Sequence, residues 1–172
     1  MVDGCSSTTA LIARFDLLRR GLLLEVDPGL FSGVTGSTDS ETLFYLALTH
    51  GLEKDPIGAM ERAVGIVEKA ATKEGVADPV QMTVGISDGN RLWAIRYSSA
   101  HESRTLFVSE DVDTVRRLHP ENPRLQQLSE DARLVVSEPL ADLSGAWHEI
   151  PESTAVVVDG TNLERRGFAP EA

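Results

Sequence analysis

The feature that most constrains the fold is a change in the spacing of apolar residues near position 80. Before it, three segments carry apolar side chains at helical spacing, and the first of these predicts one helix face formed by Leu11, Ile12, Phe15, Leu18 and Leu22. From Val80 to Ile86, apolar and polar residues alternate, which is typical of a strand. Helices followed by strands favour an α+β fold over a parallel sheet, in which the two would alternate along the chain.

Capping signals place the second and third helices. Thr38 opens an apolar segment that ends before Gly51, and Asp55-Pro56 supplies an N-cap and a first-turn proline for a helix that continues to Gly75. Asp111 opens a short helix in the stretch 112–131, where two proline-interrupted turns follow and no chemistry is expected.

The second half of the chain predicts antiparallel strands. Residues 80–97 form a hairpin around Asp88-Gly89-Asn90. Three short runs, "TLFVS", "RLVVS" and "TAVVV", have strand character, and Asp159-Gly160 turns the chain into a last segment over 163–168. We therefore expect one domain over residues 10–172 behind a flexible N-terminus, residues 1–9.

Charge and composition exclude several kinds of partner. The 172 residues hold 16 Lys and Arg against 27 Asp and Glu, a net charge of −11, and no basic stripe interrupts the acidic background. Nucleic acid and anionic membranes are therefore poor partners. No apolar run approaches the ~18 residues of a membrane span, the N-terminus lacks a signal-peptide pattern, and the single cysteine, Cys5, cannot form an internal disulfide. A cytoplasmic protein is expected.

The segment "GSTDSETLFYLAL" is the strongest candidate for a site. Thr38 and Glu41 fit the Ser/Thr-x-x-Glu capping box, and Asp39 lies where the positive end of the helix dipole favours a carboxylate. Capping alone explains these residues. The alternative is that Asp39 and the glycine-flanked loop face a small ligand, for which an ammonium group would suit the carboxylate.

The same segment resembles class II glutamine amidotransferases, in which a Ser/Thr-Asp-Ser/Thr-Glu turn starts a buried helix. Further stretches similar to that family follow in order: "FDLLRRGLLLEVDPGLF", "VQMTVGISDGNRLWAIRYSS" and "LVVSEPLADLSGAWHEIPESTAVVV". The resemblance implies antiparallel sheets with flanking helices, an incomplete αββα sandwich of the N-terminal-nucleophile hydrolase type. It also implies glutamine as the substrate, with Asp39 contacting its α-ammonium and Thr38 and Ser37 as positioning neighbours.

The catalytic half of the family pattern is missing from this sequence. Family members use a processed N-terminal cysteine with its free amine, and an Asn-Gly pair that helps to form the oxyanion hole. Cys5 stands behind Val2, Asp3 and Gly4, and no Asn-Gly precedes the first helix. We therefore assign no catalytic residue and expect only the C-terminal part of the domain, inactive alone. The alternative is a non-catalytic binding or interaction module derived from the fold.

Other kinds of site find little support in the sequence. The four histidines share no spacing with one another or with Cys5, so neither a metal nor a cofactor is expected. The segment "GVTG" lacks the lysine of a phosphate-binding loop. A half domain would leave a sheet edge bare, and the resemblance therefore predicts a homo-oligomer or a partner chain that completes the sheet. A chain purified alone should be oligomeric or poorly stable.

Overall fold

The computed structural model describes residues 11–139 and 145–171, and Cys5 and the rest of residues 1–10 lie outside them. Five α-helices lie in the described part: α1 Phe15–Leu24, α2 Asp39–Thr49, α3 Pro56–Lys73, α4 Val112–Leu118 and α5 Pro123–Gln126. A 3₁₀ helix, Pro28–Gly33, joins α1 to the loop before α2. None of the described helices combines the length and the low polarity that crossing a membrane requires.

The helix ends follow the sequence signals. Asp55 caps α3 by accepting a hydrogen bond from the Gly58 N–H at 3.1 Å, with Pro56 in the first turn. At the end of α2, Gly51 has a φ of 90°, and the Leu52 N–H donates to the Ala47 carbonyl at 3.0 Å. This is the left-handed termination that glycine permits at little cost, so the end predicted for α2 is confirmed.

The first helix begins later than the apolar spacing predicts. Arg14 adopts a left-handed conformation, with a φ of 51°, and α1 starts after it at Phe15. Leu11 and Ile12 are therefore not helical. They lie in an extended segment in which Ile12 pairs antiparallel with Val80, because hydrogen bonds to the sheet replace those of another helical turn.

Four antiparallel strands of the described residues form the larger sheet: β1 Gln81–Ser87, β2 Arg91–Ser98, β6 Thr154–Asp159 and β7 Asn162–Gly167. They lie in the order β1-β2-β6-β7. The register pairs Val84 with Ile95, and Ala94 with Val156. Because successive side chains point to opposite faces, Trp93, Ile95 and Tyr97 pack against the helices, whereas Ala94 lies on the other face.

A smaller sheet covers that other face. Its three strands are β3 Phe107–Ser109, β4 Val135–Val136 and β5 Trp147–Glu149, in the order β4-β3-β5. Val108 and Ile150 pack with Ala94 and Val156 in a second apolar cluster. The sequence does not predict β5, because its residues WHE include no β-branched side chain, unlike the runs that mark β3 and β4. It also does not predict a helix at α5, where a turn is expected.

The layers confirm the α+β class with antiparallel sheets and flanking helices. The main core fills the space between α1, α2, α3 and the four-stranded sheet. Leu22, Leu46, Val64 and Ile95 are fully buried in it. The helix α2 is less enclosed than its composition suggests, because the Phe44 side chain is 45% exposed.

Candidate functional site

The N-terminus of α2 is held by its own side chains. The Thr38 hydroxyl accepts a hydrogen bond from the Glu41 N–H at 3.2 Å, and this confirms Thr38 as the N-cap. The Ser40 hydroxyl donates to the Thr38 hydroxyl at 3.3 Å, and the Thr42 hydroxyl donates to the Thr38 carbonyl at 3.2 Å. Buried Leu43, Leu46 and Ala47 fix the helix axis against the core, so this end of α2 has a defined direction.

Asp39 lies in the first turn of α2, partly exposed, with both carboxylate oxygens in use. Oδ1 accepts the Ser40 N–H at 2.7 Å, and Oδ2 accepts the Ile12 N–H at 3.1 Å. The second bond joins residues 27 positions apart and ties the helix to the segment that pairs with Val80. A carboxylate oxygen has a second lone pair, so the same carboxylate can still accept a hydrogen bond from a ligand.

Glu41 acts differently from the capping-box prediction. Its carboxylate reaches past Thr38, and Oε1 accepts the N–H groups of Thr35 and Gly36 at 3.1 and 2.9 Å. Oε2 is buried and has no hydrogen-bond partner among the described residues. The Arg19 guanidinium donates to the Gly36 carbonyl at 3.0 Å from the other side. The loop before α2 is therefore fixed by two charged side chains.

The other two predicted site residues lie on the surface beside Asp39. Ser37 and Thr38 are exposed, and the Thr38 side chain is engaged in capping. The structure thus brings Ser37, Thr38 and Asp39 together at one helix end, as adjacent residues must be. Their contact with a ligand stays a prediction.

The same end of the molecule carries a polar cluster that sequence reasoning missed. Glu152 accepts hydrogen bonds from the N–H groups of Ser98 and Ser103 at 3.0 and 2.9 Å, and from the Ser103 hydroxyl. Burial opposes ionisation of this carboxylate, but the bonds from Ser103, Ser153 and Ser98 outweigh it and lower the pKa of Glu152 below its ordinary value. Nothing in the local sequence marks this role, because the donors Ser98 and Ser103 lie about fifty residues away.

The cluster is linked to Asp39 through the sheet. The Ser99 N–H donates to the Val80 carbonyl at 2.9 Å, and Val80 in turn pairs with Ile12, whose N–H binds Asp39. The Glu68 carboxylate accepts hydrogen bonds from the hydroxyls of Tyr97 and Ser99 at 2.6 and 2.7 Å. Burial and the bond to Glu68 raise the pKa of Tyr97 above its ordinary value, so its hydroxyl stays a hydrogen-bond donor into the alkaline range.

Arg96 joins the two sheets next to this cluster. The Arg96 side chain, on β2, is 11% exposed. It donates to Glu149 Oε1 and the Ile150 carbonyl, both at 2.6 Å. Its Nε donates to the Ser103 hydroxyl at 2.9 Å. A buried guanidinium with these partners has a structural role, since its donors are directed at protein atoms.

Two cavities lie away from Asp39. One, of about 310 Å³, runs between α1 and α3 beside Leu17, Gly21 and Ile66. The other, of about 270 Å³, lies near the β1–β2 turn beside Arg91 and Arg133. Within residues 11–139 and 145–171, no three His, Cys, Asp or Glu side chains are placed to hold a metal ion.

Comparison with solved structures finds a detailed likeness to known proteins. The structure of a glutamine aminotransferase class-II domain protein from Silicibacter pomeroyi superposes with a TM-score of 0.78 and 29% sequence identity. The match covers 95% of this chain and 66% of that one, so the chain spans just under two thirds of its length. The fold is that of a class II glutamine amidotransferase domain. The 29% sequence identity also supports a relationship to glutamine amidotransferase-like proteins. No family model and no curated protein sequence matches this chain.

Proposed function

We propose that this chain carries the glutamine-binding part of a class II glutamine amidotransferase domain, with Asp39 as acceptor for the α-ammonium group of glutamine. Thr38 and Ser37 position that carboxylate. The nucleophile and the oxyanion donors come from polypeptide outside these 172 residues, and the chain alone therefore does not hydrolyse glutamine.

The observation that carries this proposal is the placement of the Asp39 carboxylate. It is partly exposed at the start of a helix whose far side is buried, and backbone N–H groups on two sides fix its orientation. A fixed carboxylate loses little side-chain entropy when it binds a cation. The match to a class II domain over 95% of the chain supports glutamine as the ligand, and the 66% coverage of that domain leaves room for a catalytic part elsewhere.

The test is a glutamine titration followed by NMR through the amide signals of Ile12 and Ser40, whose N–H groups bind Asp39 directly. Asp39→Asn removes the charge and keeps one acceptor oxygen. Hydrogen bonds to charged groups are worth about 1.5–3 kcal/mol, so we expect the Kd for glutamine to rise roughly 10- to 100-fold.

Two controls make the result specific. Asp55→Asn changes a carboxylate at the start of α3 in the same way and should leave the Kd unchanged. 4-Carbamoylbutanoate, which is glutamine without its α-ammonium, should bind the unmodified chain and Asp39→Asn equally weakly. Equal glutamine affinity of Asp39→Asn and the unmodified chain would refute the site, and glutamate release by the chain alone would refute its inactivity.

A second function, a non-catalytic binding or interaction module, is favoured by a different aspect of the same geometry. Both Asp39 oxygens already accept hydrogen bonds from backbone N–H groups at the start of α2. This structural role explains the carboxylate without a ligand. In that case Asp39→Asn lowers stability, glutamine causes no shift of either amide signal, and the chain forms a stable complex with another polypeptide.

A further inference from the structure

The cavity of about 310 Å³ between α1 and α3 has an apolar floor. Leu18 and Leu22 are buried beneath it, and Leu17 and Ile66 form partly exposed walls. Along α1 the cavity extends from Leu17 to Glu25, which corresponds to a length of roughly 12 Å. An extended chain of eight carbons fits this length, and its burial against the floor is favourable.

Gly21 keeps the cavity open. It lies within α1, where glycine lowers helix stability relative to alanine. Its φ is not positive, and a Cβ at this position would meet no atom within 4 Å. Neither the backbone nor the described neighbours therefore require a glycine here. Its effect is to leave space between the two helices.

Two lysines line the α3 side of the cavity. Lys69 and Lys73 are both exposed, and their spacing of four residues makes them neighbours on one helix face. Within residues 11–139 and 145–171, neither forms an ion pair or a hydrogen bond. Like charges at this spacing destabilise a helix, so an anion bound between them is favoured. The sequence contains only one other lysine, Lys54, and has a net charge of −11, which makes this pair unusual in its surroundings.

Two glutamates border the cavity, one at each end. The Ala13 N–H, just before α1, donates to the Pro79 carbonyl, just after α3, at 2.7 Å. The start of α1 therefore lies near the end of α3, and the two helices run in opposite directions. Glu25 follows the end of α1 and Glu74 follows the end of α3, so their carboxylates lie at opposite ends of the cavity. They repel an anion from both ends and leave the stretch between them, beside the lysines, as the place for its charge.

We propose that this cavity binds a small amphiphilic carboxylate, with its alkyl chain on the apolar floor and its carboxylate between Lys69 and Lys73. The alkyl chain supplies most of the affinity through burial, and the lysines select the sign of the charge. This proposal does not rest on glutamine binding, because the cavity lies away from Asp39.

Isothermal titration calorimetry of the full chain tests the ligand and its charge. The probes are octanoate and octylamine, which have eight carbons and carry opposite charges at neutral pH, each below its micelle-forming concentration. Octanoate should bind more tightly than octylamine. Lys69→Gln and Lys73→Gln should each raise the Kd for octanoate by roughly two- to fivefold, as expected for exposed ion pairs. Lys54→Gln makes the same change at the lysine outside the cavity lining and should leave this Kd unchanged.

Gly21→Leu tests the place of binding. The leucine side chain would fill the cavity, and the chain should still fold, because the new Cβ meets no atom within 4 Å and leucine favours a helix more than glycine does. The Tm should therefore rise while octanoate binding is lost. Arg20→Leu is the matched control, because it adds the same side chain at an exposed position outside the cavity lining, and it should keep octanoate binding.

Three results would overturn the proposal. A chain that does not bind octanoate would leave the groove to a helix of another polypeptide. Equal binding of octylamine, or lysine variants that behave like Lys54→Gln, would show that the lysines do not select the charge. Octanoate binding that persists in Gly21→Leu would place the ligand elsewhere on the molecule.

Discussion

Replacement of Glu41 by alanine tests how the loop before α2 is held. The Glu41 carboxylate accepts two backbone N–H groups, from Thr35 and Gly36, through the single oxygen Oε1. Each such bond contributes about 1 kcal/mol, and the carboxylate gains roughly a further 0.3–1 kcal/mol from the helix dipole. Because both bonds are exposed to solvent, they contribute less than this sum. We therefore expect Glu41→Ala to lower the free energy of unfolding by about 1–2 kcal/mol.

Glu41→Gln separates hydrogen bonding from charge. The amide oxygen of glutamine can replace Oε1, and its NH₂ group then takes the place of Oε2, which binds no hydrogen-bond donor in the part of the chain that the structure describes. Glu41→Gln should therefore lower the free energy of unfolding by less than about 1 kcal/mol, because it loses only the interaction of the charge with the helix dipole. Gly36→Ala tests the same contact from the other side, because its Cβ would lie 2.7 Å from Oε2 and would displace the carboxylate.

The assays are urea denaturation, thermal melts and amide hydrogen exchange. A cost of 1–2 kcal/mol corresponds to a fall in Tm of roughly 2–8 °C for a chain of this size. In Glu41→Ala, the Thr35 and Gly36 amides should exchange faster, while amides in the middle of α3 change only by the global loss of stability. Unchanged protection of Thr35 and Gly36 in Glu41→Ala would show that the carboxylate does not hold the loop.

Three further predictions concern stability. Because the pKa of Glu152 is lowered in the folded state, its carboxylate stabilises the fold above about pH 4.3, the ordinary glutamate pKa. This stabilisation is lost as the pH falls through the folded-state pKa. In Glu152→Gln, the free energy of unfolding should therefore fall less steeply at acid pH. In urea denaturation, Leu46→Ala should lower the free energy of unfolding by about 2–5 kcal/mol, because Leu46 is fully buried. Leu24 is 77% exposed, so Leu24→Ala should change the free energy of unfolding by no more than about 0.5 kcal/mol. Gly51→Ala should cost about 1–2 kcal/mol at a φ of 90°, although its Cβ meets nothing within 4 Å; a neutral result in thermal melts would contradict the strain argument.

The sequence predicts helix caps well because capping is local. Thr38 and Asp55 act within three residues of their own position, so the pattern of side chains is sufficient to identify them. The same local reasoning is wrong for Leu11 and Ile12, whose apolar spacing fits a helix. Their backbone pairs instead with Val80, some seventy residues away, and no local pattern reports that partner. Glu41 is an intermediate case. The capping box predicts the Thr38 N–H as its partner, whereas it binds the N–H groups of Thr35 and Gly36, which are near in sequence but earlier in the loop.

The amino-acid sequence alone determined that three helices precede the antiparallel strands, where α2 and α3 end, and that a carboxylate lies at the start of a buried helix. These depend on periodicity and on contacts within one turn, which short segments encode by themselves. Only the tertiary structure decided that Asp39 binds the Ile12 N–H and that Glu152 accepts hydrogen bonds from Ser98 and Ser103. Those features join residues far apart in the chain, and only packing of the sheets and helices sets which distant groups meet.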